Sequence, residues 1–332
     1  AFGTRLNAQE WRNAIMPLLT SLSRWLSNED CLDPQDATTH ASHLLASLMT
    51  MAWAVEARDP YTGGHLWRVS RYARLVAEQL GYGEADATRI SLGGFLHDLG
   101  KIAVPDVILR KTGALTDEEY AVIKTHPDVG LKLLAGHPLV ELVQDAVLLH
   151  HERPDGRGYP RGLAGDAVPP MARIVGVCDA FDAMTSHRPY RPGMPRDRAL
   201  SIIGEAQGAQ FDSVIAEVVL AMGGRGVLDH VISHSDDGIP LRECPMCGPT
   251  LVIRREHHAG DHVYCRNCTG EFELRDEHGL LCAVPTGCKG QAADLTPDID
   301  AALIARTVQD AVSALPAQEL LKACALPVSG KR

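Results

Sequence analysis

Apolar residues recur at helical spacing through the middle of the chain. Behind His65 they follow at offsets of 4, 7, 11 and 15, as Val69, Tyr72, Val76 and Leu80. This spacing forms one apolar stripe on a helix of 3.6 residues per turn. The regular alternation that marks strands is absent from residues 51–223, so we predict a helical domain there. The Gly- and Pro-rich segment 152–170 is predicted to be a long loop within it.

Capping signals locate several helix ends. Thr116 and Glu119 fit a capping box, and Gly81 is placed to end the helix that contains Val76. We read residues 1–50 as a helical lead-in, with helices near 8–27 and from about 37 to Arg58, the second capped by Asp36. Residues 286–332 are predicted to be a linker and a C-terminal helical tail. Its helix is predicted to begin at Thr296-Pro297-Asp298 and to end near 315.

Residues 224–285 differ in character from the helical domain. We predict a linker over 224–240 and a small β module over 241–285, where short β-like runs lie beside two Cys-x-x-Cys pairs. The pairs fit a zinc ribbon, in which two turns supply four thiolates to one structural zinc ion; the cysteines are Cys244, Cys247, Cys265 and Cys268. Free thiols or a redox pair are the alternative. We expect the helical domain to function without this module, because the helical domain has its own hydrophobic core and its own candidate metal ligands, described below.

Composition narrows the class of protein. Of the 332 residues, 45% are hydrophobic and 22% are charged, as in ordinary globular proteins, and the net charge is −10. A general nucleic-acid binder would carry a basic surface, so we do not expect one. No apolar run reaches the roughly 20 residues that span a bilayer, and no signal peptide is recognised, which predicts a cytoplasmic protein.

Histidines and aspartates accumulate at the ends of the apolar helical stripes. Their side chains face the same interior as the apolar residues, and buried charge is costly unless it is paired or bound to a metal. Helical bundles commonly hold metals through such inward-facing ligands. Nitrogen and carboxylate ligands favour iron, manganese or zinc, and seven of them exceed the needs of one ion. The set comprises His65, His97, Asp98, His126, His150, His151 and Asp179.

Four of these seven residues lie in two longer sequence motifs. Residues 97–101, HDLGK, resemble the HD signature of metal-dependent phosphohydrolases, and residues 150–160, HHERPDGRGYP, resemble the extended signature of HD-GYP phosphodiesterases. Further similarity runs through 58–65, 102–109, 124–127, 172–185 and the RPYR segment 188–191. The resemblance covers residues 51–223 and implies a mainly α protein, an HD-type helical bundle, here followed by the small β zinc-ribbon-like module.

The resemblance implies a bacterial signalling enzyme that hydrolyses cyclic di-GMP to pGpG, in some members on to GMP. The seven residues above map onto the family's metal ligands, and Asp98 matches the aspartate that bridges two metals. Members with a third metal use a glutamate four residues before the first histidine, and Tyr61 stands there in this chain. Two divalent ions, iron or manganese, are therefore expected.

Some substrate contacts follow from position along the chain and others from the resemblance. Lys101 lies one helical turn after His97 and is expected to hold a phosphate oxygen, as are Arg188 and Arg191. The loop residues Asp155, Gly158 and Tyr159 are expected to approach the substrate closely, unless they only brace the site. The same loop is implicated in the family in contacts with proteins that make cyclic di-GMP.

Two other functions stay open. An HD phosphohydrolase could act on another nucleotide, although the long GYP signature favours a cyclic dinucleotide. A sensor or scaffold that binds cyclic di-GMP without turnover would be expected to have lost ligands, whereas all seven positions are occupied here.

Overall fold

The computed structural model describes residues 34–58, 63–111, 113–186, 193–248, 250–296 and 299–316. None of the helices in these ranges is both long enough and apolar enough to cross a membrane. The predicted helix near 8–27 lies outside the described residues.

Helices make up most of the described chain. They are α1 (Pro34–Glu56), α2 (His65–Gln79), α3 (Glu84–Leu96), α4 (Asp106–Leu109), α5 (Asp117–Ile123), α6 (His126–Leu134), α7 (Val140–Leu149), α8 (Pro170–Thr185), α9 (Arg196–Glu205), α10 (Ser213–Gly224) and α11 (Ala301–Ala314). A 3-10 turn, Leu99–Ala103, follows α3, and a second, Gly165–Ala167, lies in the long loop before α8. The predicted fold class, mainly α with a small β module, is confirmed.

The capping predictions met with different outcomes. The capping box of Thr116 and Glu119 is present at the start of α5, and Gly81 has a positive φ of 86° just after α2. Asp36 was wrong as a cap, because α1 begins at Pro34. The start at Thr296 was also wrong: α11 begins at Ala301, and the Asp300 carboxylate accepts a hydrogen bond from Leu303 N at 2.7 Å.

The main core lies between α2, α3, α7 and α8. The predicted stripe of α2 is buried there, with Val69, Tyr72 and Val76 at most 1% exposed. Helices α2 and α3 approach closely because Gly94 has no side chain: a Cβ there would lie 3.0 Å from Ser70 Cα. This close packing brings His65 at the start of α2 near His97 at the end of α3.

The C-terminal helix α11 belongs to the same core. Its buried residues pack against α1 and α3, and they are Leu303, Ile304, Val308, Ala311 and Val312. The segment beyond residue 286 was predicted to be a linker and tail. In the structure its helix covers one side of the helical domain.

The strands lie between His234 and Lys289. They are β1 (His234–Asp236), β2 (Ile239–Pro240), β3 (Arg242–Glu243), β4 (Thr250–Leu251), β5 (His262–Tyr264), β6 (Gly270–Glu277) and β7 (Leu280–Lys289). They form the antiparallel pairs β1–β2 and β3–β4 and the antiparallel sheet β5–β6–β7. A second, small core of Leu251, Ile253, Val263, Phe272 and Leu274 is closed by Cys244 and Cys265.

Candidate metal centre and substrate cavities

The histidines and aspartates predicted from the sequence meet where several helices end. His65 begins α2, and His97-Asp98 directly follows α3. His126 begins α6, the pair 150–151 follows α7, and Asp179 lies within α8. Ligands from five helices, spread along the chain from His65 to Asp179, thus converge on one point.

One group of side chains surrounds two carboxylates. His65 Nε2 lies 3.6 Å from Asp98 Oδ2 and 3.5 Å from Asp179 Oδ1. His97 Nε2 lies 3.4 Å and 3.8 Å from the same two oxygens. Two imidazoles and two carboxylates with these spacings could hold one cation between them.

A second group lies on the other side of Asp98. His126 Nε2 lies 3.4 Å from Asp98 Oδ1 and 3.3 Å from His150 Nε2. His151 completes this group, its ring centroid 4.0 Å from that of His150. The two oxygens of Asp98 therefore face different groups, as a carboxylate shared by two ions would.

The imidazoles are oriented by bonds on the side away from the cluster. Nδ1 of His97, His126 and His150 lies 2.7 to 2.8 Å from the carbonyl oxygens of Gly94, Ile123 and Ala146. A carbonyl oxygen only accepts, so each Nδ1 carries a proton, and in the neutral ring it is then Nε2 that presents a lone pair to the cluster. This arrangement is typical of metal-binding histidines.

Two buried atoms of the cluster point to a cation. Within the described part of the chain, His97 Nε2 and Asp98 Oδ1 are buried without a hydrogen-bond partner. Such atoms cost free energy unless something satisfies them. A divalent cation fits the donor set of imidazole nitrogens and carboxylate oxygens.

The protonation preferences of the two groups differ. Burial lowers the pKa of His126 to about 4 and that of His151 to about 3, so both rings are neutral at pH 7. Burial also acts on His97, but the carboxylates of Asp98 and Asp179 outweigh it and raise the pKa of His97 to about 10. The carboxylate-rich group thus attracts positive charge, as a cation site does.

Lys101 lies beside the shared carboxylate. Its Nζ donates to Asp98 Oδ2 at 2.5 Å, and its side chain is 28% exposed. It lines the two cavities that flank the cluster. It is therefore placed to contact a ligand that spans the cluster.

The two cavities differ in chemistry. The cavity on the His65 side, about 620 Å³, has a mostly apolar wall: Ala52, Val55, Leu66, Ile108, Leu109, Ala114, Leu115 and Ile123. The cavity on the His151 side, about 540 Å³, has a polar wall that includes Glu152, Arg153, Arg157, Arg173, Gln210 and Asp212. We call them the apolar and the polar cavity. Lys101, Tyr120 and Ile123 line both.

The loop between α7 and α8 is held against the cluster. The ring of Tyr159 stacks on His151 with centroids 4.6 Å apart. A Cβ at Gly158 would lie 2.5 Å from backbone atoms of Glu152 and Arg153, so this position requires glycine. Both oxygens of Asp155 bond to Arg153, and one accepts from Arg157 N. The predicted substrate contact of Asp155 gains no support from this geometry.

Three positions named from the sequence lie outside the described residues: Tyr61, Arg188 and Arg191. Their predicted roles stay predictions.

Sequence reasoning missed the residues behind His65. Asp182 Oδ2 lies 2.8 Å from His65 Nδ1, and Arg68 Nε donates to the other oxygen of Asp182. Each lies three residues from a ligand on the same helix, Arg68 after His65 and Asp182 after Asp179, and this spacing was the available signal. Glu56 accepts from the backbone N of His65 at 2.8 Å, and no pattern in the sequence indicates that contact.

The four cysteines of the β module form a separate cluster. Cys247 Sγ lies 3.6 Å from Cys244 Sγ and 3.5 Å from Cys265 Sγ, and Cys268 Sγ lies 3.7 Å from Cys244 Sγ. Four sulfurs about 2.3 Å from one tetrahedral ion are about 3.8 Å apart, so this donor set fits zinc.

Comparison with known proteins agrees with the helical site. A family model described as "HD domain" matches residues 49–215, half of the chain. The chain belongs to the HD domain family. The family match ends before the cysteine cluster, so the zinc ribbon stays a prediction.

Individual relatives carry the resemblance to HD-GYP phosphodiesterases further. The cyclic di-GMP phosphodiesterase response regulator RpfG of Xanthomonas campestris is 43% identical over 187 residues, covering 56% of this chain and 49% of the relative. A cyclic di-GMP phosphodiesterase of Thermotoga maritima is 37% identical, covering 56% and 51%. The 3'3'-cGAMP-specific phosphodiesterase 3 of Vibrio cholerae is 40% identical, covering 46% and 33%. The chain thus spans about half or less of these relatives.

Proposed function

We propose that this protein is a metal-dependent phosphodiesterase that hydrolyses cyclic di-GMP to pGpG. The observation that carries the proposal is the group of six imidazole and carboxylate residues, joined by Asp179 at 3.5 Å from His65, between two cavities that share Lys101. The relatives named as cyclic di-GMP phosphodiesterases support it. A relative named for 3'3'-cGAMP makes that cyclic dinucleotide the substrate to compare in the experiment below.

We propose two divalent ions in the cluster, iron or manganese. His65, His97, Asp98 and Asp179 would hold one, and Asp98, His126, His150 and His151 the other. Bound there, the pair would lower the pKa of water and stabilise charge on the departing oxygen. The chain's own contribution is to fix the orientation of four of the five rings through Nδ1 bonds and to keep the donors convergent. A single zinc ion is proposed for the four cysteines.

The two cavities favour a substrate with two bases over a mononucleotide. In this proposal Lys101 contacts a phosphate at the centre, and one base enters each cavity. Three arginines line the polar cavity, and a guanidinium group matches O6 and N7 of guanine. The mostly apolar cavity would accept the second purine by stacking and shape. This difference supports a cyclic dinucleotide with at least one guanine, which both cyclic di-GMP and 3'3'-cGAMP contain, and the proposal of cyclic di-GMP rests on the relatives named for it.

The test is a product analysis. Metal-loaded protein is incubated with cyclic di-GMP, 3'3'-cGAMP and GTP in separate reactions under Mn²⁺ or Fe²⁺, and the products are separated by chromatography. We expect pGpG from cyclic di-GMP and the highest kcat/KM for that substrate. Faster hydrolysis of GTP would favour an HD phosphohydrolase on another nucleotide. Binding of cyclic di-GMP without product, with both ions present, would favour a sensor.

The loop of residues 155–160 is also proposed to contact proteins that synthesise cyclic di-GMP. Arg157 is exposed in this loop, so the loop offers positive charge to an acidic partner surface.

A further inference from the structure

The β module touches the chain directly before the first metal ligand. A Cβ at Gly63 would lie 2.5 Å from Val252 Cγ2, and a Cβ at Gly64 would lie 2.8 Å from Ser235 Cα. Gly64 also has a positive φ of 74°. The two glycines therefore allow the module and its linker to pack against the entry to α2, where His65 is the first residue.

One contact comes from the cysteine cluster itself. Arg266 stands between Cys265 and Cys268, and its Nη1 donates to Ala57 O at 2.5 Å. Ala57 follows Glu56, and the Glu56 carboxylate accepts from the backbone N of His65 and of Leu66. The second cysteine pair is thus joined to the segment that caps α2.

A second contact runs through a buried arginine. Arg68 is 1% exposed, and its Nη1 donates to Gly63 O and to His234 O, both at 2.9 Å. His234 begins β1, the strand that leads into the module. The other nitrogens of Arg68 bond Asp182, whose carboxylate lies 2.8 Å from His65 Nδ1.

We propose that the cysteine module is a positioning element of the catalytic metal centre. Metal in the four-cysteine cluster fixes the turn that carries Arg266. This turn holds Ala57, and the linker at His234 holds residues 63–68, which present His65. Loss of that metal therefore lowers the affinity of the histidine–aspartate cluster for its own ions. This inference rests on the proposed function for the presence of metal in both the histidine–aspartate cluster and the four-cysteine cluster.

The proposal reverses an expectation drawn from the sequence. The helical domain, which has its own core and metal ligands, was expected to keep its activity without the module. The structure instead gives Ala57 O and His234 O partners across the boundary. Groups that orient a metal ligand typically change metal affinity ten- to a hundredfold when they are altered.

The experiment measures Mn²⁺ affinity in the full chain. Mn²⁺ favours nitrogen and oxygen donors and thiolates hold zinc, so Mn²⁺ titration of zinc-loaded protein reports on the histidine–aspartate cluster. Free Mn²⁺ is followed by electron paramagnetic resonance, and zinc by elemental analysis. The variants are Cys247→Ser, Arg266→Ala and Arg266→Lys. The control is Arg275→Ala in the same module, whose side chain is 57% exposed and bonds to Glu273.

We expect Cys247→Ser to lose zinc and bind Mn²⁺ about tenfold more weakly. Arg266→Ala should keep zinc and show a similar loss, Arg266→Lys should recover part of it, and Arg275→Ala should match the wild type. A zinc-free Cys247→Ser protein with wild-type Mn²⁺ affinity would overturn the proposal, as would unchanged affinity in Arg266→Ala. A wild-type protein that binds Mn²⁺ but hydrolyses no cyclic dinucleotide would refute the proposed function alone. If the wild type binds no Mn²⁺, both fail.

Discussion

At the scale of single residues, Asp98 has the most demanding position in the cluster. Its Oδ2 faces His65 and His97 and its Oδ1 faces His126. Asp98→Ala should remove a donor from both groups and abolish turnover, with loss of bound Mn²⁺ in elemental analysis. Asp86→Ala, an exposed carboxylate in α3, is the matched control. Near-wild-type kcat with unchanged metal content in Asp98→Ala would show that the centre is wrongly assigned.

A single substitution at Arg157 tests the proposed substrate contact in the polar cavity. It lines the polar cavity, whereas Arg161 in the same loop bonds Asp128 away from it. Arg157→Ala should remove a hydrogen bond to a charged group, worth about 1.5–3 kcal/mol, and so lower kcat/KM for cyclic di-GMP roughly ten- to a hundredfold. Arg161→Ala should leave it unchanged. Equal kinetics in the two variants would take Arg157 out of the substrate site.

At the scale of elements, helical periodicity predicted which side chains of each helix turn inward. It could not predict which chain-distant ends meet, because that depends on tertiary packing such as the close approach at Gly94. The same limit explains Asp182 of α8, whose partners His65 and Arg68 of α2 become its neighbours only after the two helices pack. Local capping chemistry gave the start of α5 at Thr116. It misplaced the starts of α1 and α11, and at α11 the cap is Asp300 instead of Thr296.

The loop between α7 and α8 is an element whose glycine can be tested. At Gly158 an added Cβ would meet only backbone atoms, which cannot move aside as a flexible side chain would. Gly158→Ala should therefore shift Tyr159 from His151, costing about 1–3 kcal/mol of stability and most of the activity. Gly224→Ala, where a Cβ meets nothing within 4 Å, should be neutral. Thermal unfolding and steady-state kinetics measure both. A fully active, equally stable Gly158→Ala protein would contradict this account of the loop.

At the scale of the whole molecule, the chain's two cores are connected at several points. The linker at His234 bonds Arg68, and Asp236 in β1 accepts from Arg255 of the module and Arg306 of α11. The sequence suggested a helical domain, a module and a tail in succession. In space, the tail returns to the helical domain and the module lies beside the entry to α2, so the parts share contacts that their order along the chain does not reveal.

The packing of α11 against α1 and α3 should stabilise the helical core. Leu303, Ile304 and Val308 are at most 6% exposed, and they pack with α1 and α3. Burial of one such side chain contributes about 1.5–3 kcal/mol, so a chain ending at residue 298 should lose roughly 5–9 kcal/mol of stability. Its Tm should fall, and the uncovered apolar faces of α1 and α3 should bind a hydrophobic dye. A chain ending at residue 316 keeps α11 and is the matched control for this deletion. If both shortened chains melt at the full-chain temperature, α11 does not stabilise the helical core.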